Sequence, residues 1–201
     1  MKNQEQSFEL QFLQRFSVRS VLILLTGGFV LGLIFGAVTV KLSYLPYDHP
    51  IWTLFFSGSP SPEAGFLQCF SATLLNILTA LIAMFLLGVT AFGALGIPLL
   101  IFCRGASTAA FLISLLADGG ISELGRFAIC STPAAAAGSL LIILFAVRAM
   151  GFSWGLARAG FSQRQEVLNF QLYFKDLMYF LCFSVAVSVT GSLLALISQL
   201  F

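Results

Sequence analysis

Charge is what this chain has least of. Lys, Arg, Asp and Glu make up 9% of its 201 residues, where a soluble domain carries about 25%. Other chemically active side chains are scarce too: one histidine, His49, and four cysteines. Cys69, Cys103, Cys130 and Cys182 form no Cys-x-x-Cys pair and have no histidine close in sequence, which argues against the familiar zinc signatures. No metal site, cofactor or disulfide is expected. His49 stands beside Asp48, but a lone aqueous pair without a nucleophile or second carboxylate is a poor start for acid-base catalysis. The net charge of +2 is too small for a nucleic-acid surface.

What the chain has in abundance is apolar surface. Hydrophobic residues reach 59%, more than a water-soluble fold of this size can bury. A hydrocarbon core of about 30 Å is crossed by about 20 apolar residues of helix. Five stretches meet this length: Val21–Val40, Ala72–Phe92, Ile97–Leu116, Phe127–Val147 and Met178–Leu200. In lipid each backbone N–H and C=O must be paired within the protein, and runs this long without alternation mean helices rather than barrel strands. The fold class is therefore all-α, a polytopic integral membrane protein in one domain, residues 1–201. The first run is too long for a signal-peptide core and no Ala-x-Ala-like site follows it, so it reads as a retained anchor.

Basic residues orient the spans. Lys2, Arg15 and Arg19 precede the first, and Arg148, Arg158, Arg164 and Lys175 lie at or between the fourth and fifth; only Lys41 and Arg126 fall on the other side. By the positive-inside rule the N-terminus is cytoplasmic and, after five crossings, the C-terminus is outside. Residues 5–19 set Phe8, Phe12, Leu13 and Phe16 on one helical face against Glu5, Glu9, Arg15 and Arg19. This pattern predicts an amphipathic helix in the cytoplasmic headgroup layer, with docking of a cytoplasmic partner as the alternative.

Small residues mark the packing faces. Gly28, Gly32 and Gly36 recur every four residues in the first span, clearing one side for close backbone contact with a sister helix or with a partner subunit. The outer loop 42–71 holds four prolines, and Tyr44, Tyr47, Trp52, Phe55 and Phe56 cluster in it as an interfacial aromatic belt or a surface for an extracytoplasmic protein. Between the second and third spans, Gly93 and Gly96 suit a tight cytoplasmic turn, with Pro98 at the start of the next helix. Asp118-Gly119-Gly120 predicts the outer turn, and Pro133 a kink inside the fourth span. Residues 148–176 interleave basic and aromatic side chains, a composition suited to a membrane surface with anionic lipids.

Arg104 is the one ionisable residue between Ala72 and Ala117. Counting from Ile97, it lies about 10 Å into the membrane. Unpaired there it would cost about 2.5–3.5 kcal/mol, and Asp176 is the carboxylate at the nearest expected level. The sequence thus predicts an Arg104–Asp176 ion pair tying the central hairpin to the last helix. The competing reading makes Arg104 part of a polar transport path.

The order of these features resembles the stage II sporulation protein M family of multipass bacterial membrane proteins. The resemblance is carried by Gly32-Leu-Ile-Phe-Gly36, the segment from Asn76 through Leu87-Gly88 and Gly96-Ile97-Pro98 to Arg104-Gly105-Ala106-Ser107, and the early Pro133 of the fourth span. In that family the residue before the hairpin glycine is often Asn or Lys, so Arg104 keeps the polar character. The resemblance implies a non-enzymatic scaffold in the septal or engulfing membrane of sporulating bacteria, holding the peptidoglycan-degrading stage II sporulation proteins D and P. The Gly28, Gly32 and Gly36 face would take their membrane anchors and the outer loop their extracytoplasmic domains. The central hairpin comprises Gly88, Gly93, Gly96, Pro98, Arg104 and Gly105. The alternative function is a small transporter or channel using that hairpin around Arg104.

Overall fold

In the computed structural model the described residues are 2–42, 65–130, 132–161 and 170–199. They form five helices: α1 (Lys2–Lys41), α2 (Phe66–Gly88), α3 (Gly93–Cys130), α4 (Thr132–Phe161) and α5 (Phe170–Gln199). Each contains a segment long and apolar enough to cross a membrane: Val18–Lys41, Phe66–Gly88, Gly93–Ile113, Thr132–Ala157 and Phe170–Ile197. The protein is a polytopic helical membrane protein. The outer-loop residues Tyr44, Tyr47, Trp52, Phe55 and Phe56, with Asp48 and His49, lie outside the described residues, as do the side chains of Phe8, Phe12, Leu13 and Phe16.

The boundaries differ from the sequence expectation in instructive ways. Residues 5–19 are not a separate helix: α1 runs unbroken from Lys2 into the membrane span. The α2–α3 turn comes four residues early and occupies only Val89–Phe92. Val89 N–H donates to Phe85 O at 3.2 Å, and Thr90 satisfies Leu87 O through both its N–H at 3.0 Å and its Oγ1 at 2.7 Å. Gly93 then starts α3, where a Cβ would collide with the Leu87 carbonyl oxygen and come within 2.8 Å of Ser153 Oγ. Pro98 therefore falls inside α3 instead of opening it; it has no N–H for the carbonyl one turn back, a loss that membrane bundles accommodate. Pro133, by contrast, is the second residue of α4 rather than an interior one, a position where a proline's missing donor is well tolerated. The last helix is already formed at Phe170, eight residues before Met178, and carries Lys175 and Asp176 within it.

Asp118-Gly119-Gly120 does not form a separate loop; helical geometry persists from Gly93 to Cys130. Contacts nonetheless require the chain to reverse direction between Ala110 and Thr132. Ala149 and Gly138 of α4 lie against Gly88 and Ile77 of α2, so α2 and α4 run parallel. Arg104, eleven residues past Gly93, and Gly138 both stand level with Ile77, and six residues further out Ala110 and Thr132 share a level. The chain between them must go out and return.

The core is built around α4, which packs on the other four helices. Its Ile142, Phe145, Ala146 and Ala149 join Leu25, Leu81, Met84, Ile97 and Ile101 in a fully buried cluster. Among the described residues α1 and α2, although consecutive, do not pack on one another; α1 lies on the far side of α3 and α4.

Candidate functional site

Arg104 is 6% exposed and Asn76 8%, and the guanidinium donates from Nη1 to Asn76 Oδ1 at 2.6 Å. The two residues are opposite each other on the arms of one hairpin. Arg104 is eleven residues from the start of α3 and Asn76 twelve from the end of α2, so both lie about 16–18 Å from the turn, near mid-membrane. The expected ion pair with Asp176 is not formed. Tyr173 packs at Gly88 beside the turn, so Asp176, three residues on, is only about 5 Å deeper than the turn end, and the earlier start of α3 sets Arg104 deeper than a count from Ile97 suggests. A neutral amide costs less to bury than a carboxylate and still offers an oxygen acceptor. Arg104 thus closes its own hairpin instead of tying it to α5.

The glycine face of α1 is occupied from within. Cβ atoms on Gly32 and Gly36 would collide with the carbonyl oxygens of Phe102 and Ala106, and one on Gly105 with that of Phe29. Gly36 would also stand 2.7 Å from Ala106 Cα. Further out Val40 covers Ala106 and Ala110, so the contacts advance together and α1 and α3 run parallel. A glycine hydrogen pointing where the Cβ would be is aimed at the opposing carbonyl, the Cα–H···O arrangement that recurs at close helix crossings. Gly28 is not part of this seam, since nothing lies within 4 Å of its Cβ position. The seam as a docking face for partner anchors is therefore excluded at Gly32 and Gly36: the sister helix already fills it.

Two further clusters were not foreseen. Tyr173 is buried between Phe85 and Phe152, with ring centroids at 5.0 and 4.4 Å and interplanar angles of 11° and 6°. Its hydroxyl donates to Phe85 O at 3.3 Å and fills the space that a Cβ on Gly88 would take. Close by, Ser153 Oγ donates to Thr90 O at 2.7 Å and pins the α2–α3 turn to α4. On α5, Ser184, Ser188 and Ser192 are buried and return their hydroxyls to carbonyls of their own helix at 2.7–2.8 Å. Their spacing of four is a small-xxx-small signal readable in the sequence; the Tyr173 stack has no such signature, since phenylalanine abounds throughout.

Among the described residues no three His, Cys, Asp or Glu side chains come together to hold a metal, and Cys69, Cys103 and Cys182 are not joined in disulfides. Leu22, Ile23, Thr26, Gly27, Val30 and Leu31 form a nearly flat apolar face on the outer flank of α1. No family model, curated protein or solved structure matches this chain.

Proposed function

We propose that the protein is a non-enzymatic scaffold of the bacterial cell membrane, N-terminus cytoplasmic and C-terminus outside, that holds peptidoglycan-degrading partners at the septal membrane during sporulation engulfment. The motifs of the stage II sporulation protein M family motivate the role, and stage II sporulation proteins D and P are the partners it implies. The observation that carries the reading is the disposition of α1. One face is committed to α3, while another flank, with Gly27 open to its surroundings, is an exposed apolar face with Leu22, Ile23, Val30 and Leu31. Membrane anchors of partners seat on this flank, and the outer loop takes their extracytoplasmic domains.

The test is a pair of substitutions. Gly27→Leu puts a bulky side chain on this face without touching the bundle, so recovery of the two hydrolases falls while the protein's abundance holds. Gly32→Leu drives a side chain into the Phe102 backbone and lowers abundance itself. Unchanged recovery with Gly27→Leu would remove this face from the proposal, and absence of any cell-wall hydrolase among co-purified proteins would remove the scaffold.

One observation favours the alternative of a small transporter or channel: a guanidinium buried at mid-membrane, where ionisable groups commonly mark solute paths. Against it, Arg104 is enclosed and engaged by Asn76. Solute flux through liposomes that Arg104→Met abolishes, with folding intact, would decide for transport.

A further inference from the structure

At the end of the bundle that holds the α2–α3 turn, contacts place basic and aromatic side chains from several helices at one level. Gly88, the last residue of α2, lies against Ala149 and Tyr173, and Ser153 bonds to Thr90 in the turn. The neighbours of these contact residues are therefore at the same end: Arg148 and Trp154 on α4, Phe174 and Lys175 on α5, and Phe92 in the turn. All are exposed, Phe92 at 81% and Trp154 at 52%. The α1–α3 register adds a third cation. Gly32 meets Phe102, so the start of α3 at Gly93 stands level with Ile23, and exposed Arg19 lies about one helical turn further toward the same end.

Three cations on three helices share this rim with one described carboxylate, Asp176, which cannot neutralise them all. At the other end Lys41 is the only charged side chain among those described. Aromatic rings at one level with exposed cations suit the boundary between acyl chains and headgroups, where rings sit among glycerol groups and long basic side chains reach outward to phosphates. Arginine offers a planar fork for phosphate oxygens, and lysine a point charge.

We infer that this rim is a binding belt for anionic phospholipids, with Arg148 and Lys175 as the headgroup contacts and Trp154, Phe174 and Phe92 as the ring anchors. It goes beyond the scaffold reading and does not depend on it, since a transporter would carry the same belt. The occupant is a lipid and not free phosphate, because the aromatic anchors have a use only where acyl chains begin.

The full-length protein is placed in bilayers mixing phosphatidylcholine with phosphatidylglycerol, and the lipids that stay bound after extraction are counted by native mass spectrometry. The wild type retains phosphatidylglycerol in preference, and Arg148→Gln with Lys175→Gln reduces that preference by about fivefold for each cation removed. Thermal unfolding in an uncharged detergent stays the same for both. Lys41→Gln leaves the preference intact, and 0.5 M salt weakens it in the wild type more than in the double variant. Equal retention by wild type and double variant would overturn the inference. So would an equal loss with Lys41→Gln, or displacement of the bound lipid by inorganic phosphate.

Discussion

Arg104 shows how a costly side chain is made tolerable. A guanidinium at mid-membrane is stabilised by an amide acceptor on the adjoining helix, in a position where the two arms of a hairpin bring equal depths together. The pair is coupled, so its members are unequal when removed singly. Asn76→Leu leaves a buried cation without its 2.6 Å acceptor and is expected to destabilise the bundle more than Arg104→Met, which removes the charge and keeps an apolar side chain of similar length. The double variant should be more stable than Asn76→Leu alone. A double-mutant cycle by reversible unfolding in mixed micelles is expected to return a coupling of about 0.6–1.7 kcal/mol; additive effects would mean that the hydrogen bond contributes nothing measurable.

Helices in this protein meet by two different means. The α1–α3 crossing brings backbone to backbone through Gly32, Gly36 and Gly105, a solution suited to lipid, where apolar surface alone gives little reason for helices to associate. The α2–α4–α5 contact at the turn end is a stack of rings closed over Gly88. Because the Tyr173 hydroxyl occupies the space beside Gly88, Gly88→Ala should destabilise the bundle by about 1–3 kcal/mol, the range for overpacking. In a Tyr173→Phe background the penalty should shrink, since the atom that collides is gone. Unfolding midpoints of the four proteins test this, and an equal penalty in both backgrounds would place the strain at the remaining neighbours, the ring carbon Cζ at 3.0 Å and Ala149 Cβ at 3.1 Å from the same point.

Taken together, the five spans make a bundle whose two ends differ. The turn end carries the exposed Arg19, Arg148 and Lys175, and the other end Lys41. By the positive-inside rule, a reporter active only in the cytoplasm should work at the N-terminus and in the 162–169 segment, and one active only outside should work at the C-terminus. Reversed activity would invert the proposed topology and put the lipid belt in the outer leaflet.

The number of spans, their helical nature and the four-residue glycine period of α1 could all be read from the sequence, because each follows from hydropathy and local spacing. The ends of the spans were less legible. Pro98 and Pro133 carry the same local meaning, yet one lies within a helix and the other is the second residue of one; Lys175 and Asp176 look like loop and are helix. Which faces meet was beyond local rules. Gly32 and Gly36 advertise close contact without naming the helix that supplies it, and Arg104 advertises a partner without saying that Asn76, twenty-eight residues away, would stand level with it and Asp176 would not. Depth in the bundle depends on where each helix starts and how neighbours are staggered. Hydrophobicity along the chain fixes that the helices cross the membrane; only their packing against one another sets the register that decides which polar groups meet.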